Sequence, residues 1–162
     1  MTAMGITGIV ETAVGHFVGG YNCAESALLV LGGGQARVQG ELQRLATAFG
    51  GGTARRGLLC GAVAGAAMAL GLHLGRSAPD DSEGKDRVYQ AVEELMAAVE
   101  ARFGSVQCRQ LTGVDFREPG SHDAFCPVKE KVCIPLLRFV VETAARRLAS
   151  LESGVASASG PR

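Results

Sequence analysis

A 17-residue stretch from Leu58 to Leu74 contains no aspartate, glutamate, lysine or arginine, and it limits what the chain can fold into more than any other segment. Arg55, Arg56 and Arg76 flank it. A membrane span needs about 20 strongly apolar residues. This stretch is shorter and is interrupted by Gly61, Gly65, Gly71 and His73, so it predicts a helix buried in a protein core. Gly61 and Gly65 are four positions apart and share one helix face. A neighbouring backbone can come close there, although glycine costs about 1 kcal/mol relative to alanine at a helix position.

The remaining helices follow from periodicity and punctuation. Ile6, Ile9, Val10, Ala13, Val14 and Phe17 form one face of a first helix, which Gly19-Gly20 ends. Asn22 with Glu25 three residues on is a capping box, so a second helix runs from Cys23 to Leu31 and stops at Gly32-Gly33-Gly34. Glu41 to Phe49 is a third helix, closed by Gly50-Gly51-Gly52, and Leu58 to Leu74 is the fourth. Val88, Val92, Leu95, Met96, Val99 and Phe103 mark an amphipathic helix over Lys85 to Phe103, with Gly104 at its C-cap. Ser105 caps a short helix carrying Cys108 and Leu111, and Thr112 to Phe125 reads as loop. Pro135 suits the first turn of a last helix that runs to about Leu151. No alternating pattern exceeds four residues. The expected fold is all-α: a single compact bundle of five to six helices with glycine-rich turns. Residues 1–151 form the one redox-active helical domain and 152–162 a flexible C-terminal tail. The Lys85–Phe103 and Pro135–Leu151 helices should flank the Cys60 helix.

Charge narrows the function. Sixteen Lys and Arg balance sixteen Asp and Glu, for a formal net charge of zero, whereas a nucleic-acid binder needs a basic face. No nucleic-acid partner and no membrane insertion are expected, and near-neutrality leaves room for a homodimer. Aromatics are 5% and tryptophan is absent, so Ala, Leu, Val and Gly must pack the core. Met1 to Gly20 has no basic residue ahead of its apolar stretch, so no secretory signal is expected. Five cysteines in such a chain fit a reducing cytoplasm, where thiols bind metal or cycle.

Four cysteines, Cys23, Cys60, Cys108 and Cys133, lie close to expected helix starts. Unpaired N–H groups and the positive dipole end stabilise a thiolate there. Each is therefore a candidate for a lowered thiol pKa. Cys60 is expected to be the most acidic, with Arg55 or Arg56 beside it, while the apolar Leu58-Leu59 opposes the shift. The competing reading is that cysteine is a small, often buried hydrophobe. No CxxC occurs, which excludes a zinc ribbon and a thioredoxin motif, and no ferredoxin-type run occurs either. Any site must be assembled from distant segments. His16 and His73 read as helix C-terminal residues and His122 as a loop residue beside Asp123. No Gly-Lys-Ser/Thr follows Gly50-Gly51-Gly52, so a nucleotide site is not expected.

Several ordered segments carry a family resemblance. They are Tyr21-Asn22-Cys23-Ala24-Glu25-Ser26, Phe49-Gly50-Gly51-Gly52, Cys60-Gly61-Ala62-Val63-Ala64-Gly65, Leu70-Gly71-Leu72 with Gly75-Arg76, Cys108-Arg109-Gln110-Leu111-Thr112-Gly113, and Cys133 with Phe139-Val140. Over about residues 21 to 145 the chain resembles the redox-active proteins named for their cysteine pattern, the C_GCAxxG_C_C family. The chain departs from that pattern at Thr53, where the family often has Met, and at Leu58-Leu59, where it often has a polar pair. The resemblance implies a small helical protein whose four family cysteines are Cys23, Cys60, Cys108 and Cys133. Those four are the expected redox thiols and the expected ligands of any cofactor or metal, with Arg56 beside the cofactor. Either they hold an iron–sulfur cluster for electron transfer to a redox partner, or they cycle between dithiol and disulfide. The alternative is a structural or partner-binding helical module whose cysteines hold zinc or are inert. Whether the chain is an oxidoreductase or an electron-transfer protein stays open. Cys126 lies outside the pattern and is expected to be incidental.

Overall fold

The computed structural model describes residues 5–33 and 38–158. In chain order its elements are α1 (Ile6–Val18), α2 (Cys23–Leu31), a π-helical turn (Val38–Leu42) running into α3 (Gln43–Thr47), α4 (Gly61–Leu74), α5 (Ser82–Phe103), α6 (Cys108–Thr112), α7 (Ser121–Val128), a second π-helical turn (Lys129–Cys133) and α8 (Ile134–Ala158). Among the described residues there is no strand, only an isolated antiparallel bridge between Leu59 and Gln107. The fold is all-α. The tail expected over 152–162 lies, beyond Ala158, outside the described residues, as does Gly34 of the turn after α2.

Helix α4 is the hub. It packs on α2, α5 and α8, while α1 closes the bundle against α2 and α8. Its residues Gly61 to Ala66 are all buried, and Leu70, Val63, Leu95 of α5, and Leu137, Val140 and Val141 of α8 are the largest fully buried hydrophobic residues near its centre. The small residues of α4 set how close α2 comes. A Cβ placed on Gly61 would stand 2.5 Å from Cys23 Sγ and 3.0 Å from the Phe49 carbonyl oxygen, and one on Gly65 would strike the Ala24 carbonyl oxygen. Helix α4 thus rests on the backbone of the first turn of α2 rather than on side chains.

The start of α2 is fixed independently. Asn22 Oδ1 accepts the Ala24 and Glu25 N–H groups at 2.9 and 3.0 Å, and the Asn22 N–H donates to Glu25 Oε2 at 2.7 Å, which completes the capping box. The other Glu25 oxygen accepts the Thr47 hydroxyl at 2.5 Å, and Asn22 Nδ2 donates to the Thr47 carbonyl at 3.1 Å. The buried carboxylate of Glu25 therefore ties α2 to the end of α3. At the far end, His73 Nε2 lies 2.9 Å from the Leu31 carbonyl oxygen and joins the ends of α4 and α2.

Two segments differ from the sequence reading. Helix α4 begins at Gly61, with Cys60 as its N-cap. Residues from Ser121 onward are helical, and α7, the π-turn and α8 form one continuous path. Phe125, half-buried against the core and in T-shaped contact with Phe116 at 5.2 Å, draws this segment into helix.

The close approach is testable with a pair of glycines. Gly65→Ala should destabilise the protein by about 1–3 kcal/mol, because overpacking against a backbone oxygen outweighs the helix propensity gained. Gly71→Ala, whose Cβ meets nothing within 4 Å, should stabilise it by up to about 1 kcal/mol. Urea unfolding of both variants checks the sign; a stabilised Gly65→Ala protein would show that α2 and α4 are not in backbone contact.

Candidate functional site

Cys23, Cys60, Cys108 and Cys133 all line one cavity of about 770 Å³. Each arrives by a different route. Cys23 is the first residue of α2 and Cys60 the N-cap of α4, so the Gly61 and Gly65 contact sets them side by side. The Cys23 thiol is hydrogen-bonded to Cys60, and its sulfur also lies within reach of the Ala62 backbone N–H in the first turn of α4.

Cys108 comes through the bridge between the loops. The Cys60 N–H donates to the Val106 carbonyl at 2.8 Å, the Cys108 N–H to Leu58 at 2.7 Å, and the Arg109 N–H to Gly57 at 3.0 Å. A Cβ on Gly52, whose φ is +69°, would lie 2.6 Å from the Cβ of Cys108, so only glycine fits that position. Cys133 ends the second π-turn inside the continuous helical path, not at a helix start as expected from Pro135. Cys126 is exposed and is not among the lining residues. All five cysteines are free.

The wall between α3 and α4 is a left-handed turn. Gly51, Gly52, Thr53, Ala54 and Arg55 have φ of 63, 69, 59, 50 and 64°. For the three residues with a Cβ this conformation costs roughly 1–2 kcal/mol each. It is held by N–H bonds from Ala54 to the Ala48 carbonyl at 2.8 Å, from Arg55 to Gly50 at 3.0 Å and from Leu58 to Gly52 at 2.9 Å. The turn sets Ala54 and Arg55 on the cavity lining; Arg56 is exposed and is not part of it. Lys129, four residues before Cys133, also lines the cavity, with its Nζ 4.8 Å from the centre of the Phe17 ring. The sequence reading passed over Lys129. Its helical spacing from Cys133 was the available signal, but it depends on helix reaching back past Pro135.

The thiols are less acidic than their helix positions imply. The hydrogen bond to Cys60, then burial, pushes the Cys23 thiol well above the ordinary range. Burial, reinforced by the nearby Cys23 and opposed by Thr112, pushes Cys108 up to about 11. Burial, with Cys23 and Cys108 adding to it and Lys129 opposing, pushes Cys133 up to about 12. The expectation of lowered values at these three cysteines is thus corrected: removal from water disfavours the thiolate by more than a helix end favours it. Among the described residues, no three of Cys, His, Asp and Glu are grouped so that they could hold a metal ion. No helix among the described residues is long and apolar enough to cross a membrane.

The raised values have a sign in stability. Below the ordinary thiol value of about 9, Cys108 is protonated whether folded or unfolded, and its contribution is fully present. As pH rises from there through about 11 for Cys108 and 12 for Cys133, the unfolded chain ionises first and stability is lost. Urea unfolding between pH 8 and 12 should therefore show a steeper decline in the native protein than in a Cys108→Ser, Cys133→Ser double variant. Equal slopes would remove burial as the cause.

No curated protein and no solved structure matches the chain. Residues 21–147 match the family described as "Putative redox-active protein (C_GCAxxG_C_C)". Those residues hold all four lining cysteines, the left-handed turn and the Gly61 and Gly65 contact, and the chain belongs to the C_GCAxxG_C_C family.

Proposed function

We propose that this protein is a cytoplasmic thiol–disulfide redox protein in which Cys60 and Cys23 are the exchanging pair. The observation that carries the reading is the side-by-side placement of these two cysteines at adjoining helix starts, on the wall of a cavity that also holds Cys108 and Cys133. Cys60, the N-cap of α4, is the attacking atom and Cys23, the first residue of α2, is the resolving one. Attack on a partner disulfide breaks its S–S bond, forms a mixed disulfide with Cys60 and releases one thiol. Cys23 then loses its proton, attacks the Cys60 sulfur and releases the second thiol. Two protein thiols become one disulfide and one partner disulfide becomes two thiols. The free state of all five cysteines supports a reducing compartment.

A second reading, an iron–sulfur cluster held by the four family cysteines, is supported by their sharing one cavity whose lining includes no carboxylate. It needs the four sulfurs to draw together into a ligand set that they do not form in this structure.

Purification without oxygen, followed by iron, sulfide and zinc analysis and by thiol counting after oxidised dithiothreitol, separates the readings. The expected result is a colourless protein that reversibly loses two thiols, with peptide mapping placing the disulfide at Cys23 and Cys60. Cys60→Ser should abolish the cycle and Cys126→Ser leave it unchanged. Stoichiometric iron and sulfide would establish the cluster instead, and bound zinc or four inert thiols the structural module.

A further inference from the structure

We propose that the cavity is the binding site for an anionic, low-molecular-weight disulfide, a substrate class that rests on the thiol-exchange reading. The chain as a whole is neutral, but the cavity is not. Arg55 and Lys129 line it, and no aspartate or glutamate does. Neither cation forms an ion pair among the described residues, in contrast to Arg109 and Arg117, which share Asp115, and Arg138, which pairs with Glu11. His122 also lies on the lining, but Asp123 stands 3.7 Å from its ring, so it adds little positive field.

Each cation is brought to the lining by a distinct local feature. Arg55 sits in the left-handed turn at φ 64°, a conformation that side-chain-bearing residues seldom adopt and that collects at ligand sites. Lys129 is steered by the face of the Phe17 ring, 4.8 Å from its Nζ. The same lining holds the thiols and an apolar surface that includes Phe116 and Phe125. The volume of about 770 Å³ suits a small molecule and excludes a folded protein. A disulfide carrying carboxylates can meet the two cations of the same cavity whose lining holds Cys60 and Cys23. The exchange balances as before: the ligand S–S bond takes two electrons and two protons from Cys60 and Cys23, leaves as two carboxylate-bearing thiols, and the protein keeps the new disulfide.

Three disulfides of similar length test this with the full chain: 3,3′-dithiodipropionate, 2-hydroxyethyl disulfide and cystamine, which are anionic, neutral and cationic. Each oxidation rate of the reduced protein is divided by that of urea-unfolded protein, to remove intrinsic reactivity. The expected order is anion, neutral, cation, with the anion favoured about tenfold over the neutral compound at low salt and less at high salt. Arg55→Gln and Lys129→Gln should each shrink the anion-to-neutral ratio severalfold. Equal normalised rates, or a preference untouched by both variants, would overturn the proposal. If none of the three oxidises Cys23 and Cys60, the exchange reading itself fails. Binding is then read separately by calorimetry with Cys60→Ser protein, where the dipropionate should bind at least about tenfold more tightly than the neutral compound. Equal affinities there would overturn the anion site.

Discussion

The contact between the Gly61 and Gly65 edge of α4 and the first turn of α2 is the one on which the rest depends. Because neither glycine has a Cβ, the α4 backbone reaches the Ala24 carbonyl and the Cys23 sulfur. Two helix beginnings are thereby held together, each bearing a thiol. If the helices were a side-chain layer further apart, Cys23 and Cys60 would not share a hydrogen bond, and the cavity would lose the wall they make. The capping box at Asn22 and Glu25 works to the same end, since it fixes where α2 starts and so where Cys23 points.

The loop before α4 depends on that arrangement. Once Cys60 is fixed as an N-cap, it and the residues ahead of it pair with the Val106–Arg109 segment, and the pairing brings Cys108 in. The chain between α3 and that pairing must reverse in a very short length. A left-handed turn does this, and its strain is offset by the hydrogen bonds that close around it and by the absence of a Cβ at Gly52. The same reversal brings Arg55 to the cavity and leaves Arg56 outside. A one-residue difference in which arginine lines the cavity follows from the backbone hand of the turn.

This explains what was legible in the sequence and what was not. Periodicity found the amphipathic α5 to within a turn, because its face is a local property of Val88, Val92, Leu95 and Val99. The capping box was legible because Asn22 and Glu25 make it between themselves. The buried character of α4 and the meaning of its two glycines were legible because a run without charges has few places to go. The left-handed turn was not, since Thr53, Ala54 and Arg55 have no preference for it and adopt it only under tertiary hydrogen bonds. Nor was helix across 121–133, where Pro127 and Pro135 argue for breaks that the packing of Phe125 overrides. The cysteine set was legible through the family pattern, while its convergence on one cavity needed the bridge from Leu59 to Gln107.

Burial divides the four thiols by chemistry as well as by place. A thiol near 11, as at Cys108, is ionised in about one molecule in ten thousand at neutral pH, and Cys133 is ionised more rarely still. Burial makes both poor first nucleophiles in exchange at that pH. Both are kept from water and lie close enough to Cys23 for its charge to bear on them. A negative charge arriving on any one of the four therefore raises the cost of a second. Charge on Cys23 thus adds to what burial already does at Cys108 and Cys133. Under the exchange reading, Cys108 and Cys133 serve as a reduced wall of the cavity beside the Cys23 and Cys60 pair. Lys129, which opposes the raised value at Cys133, supplies positive charge beside the crowded sulfurs.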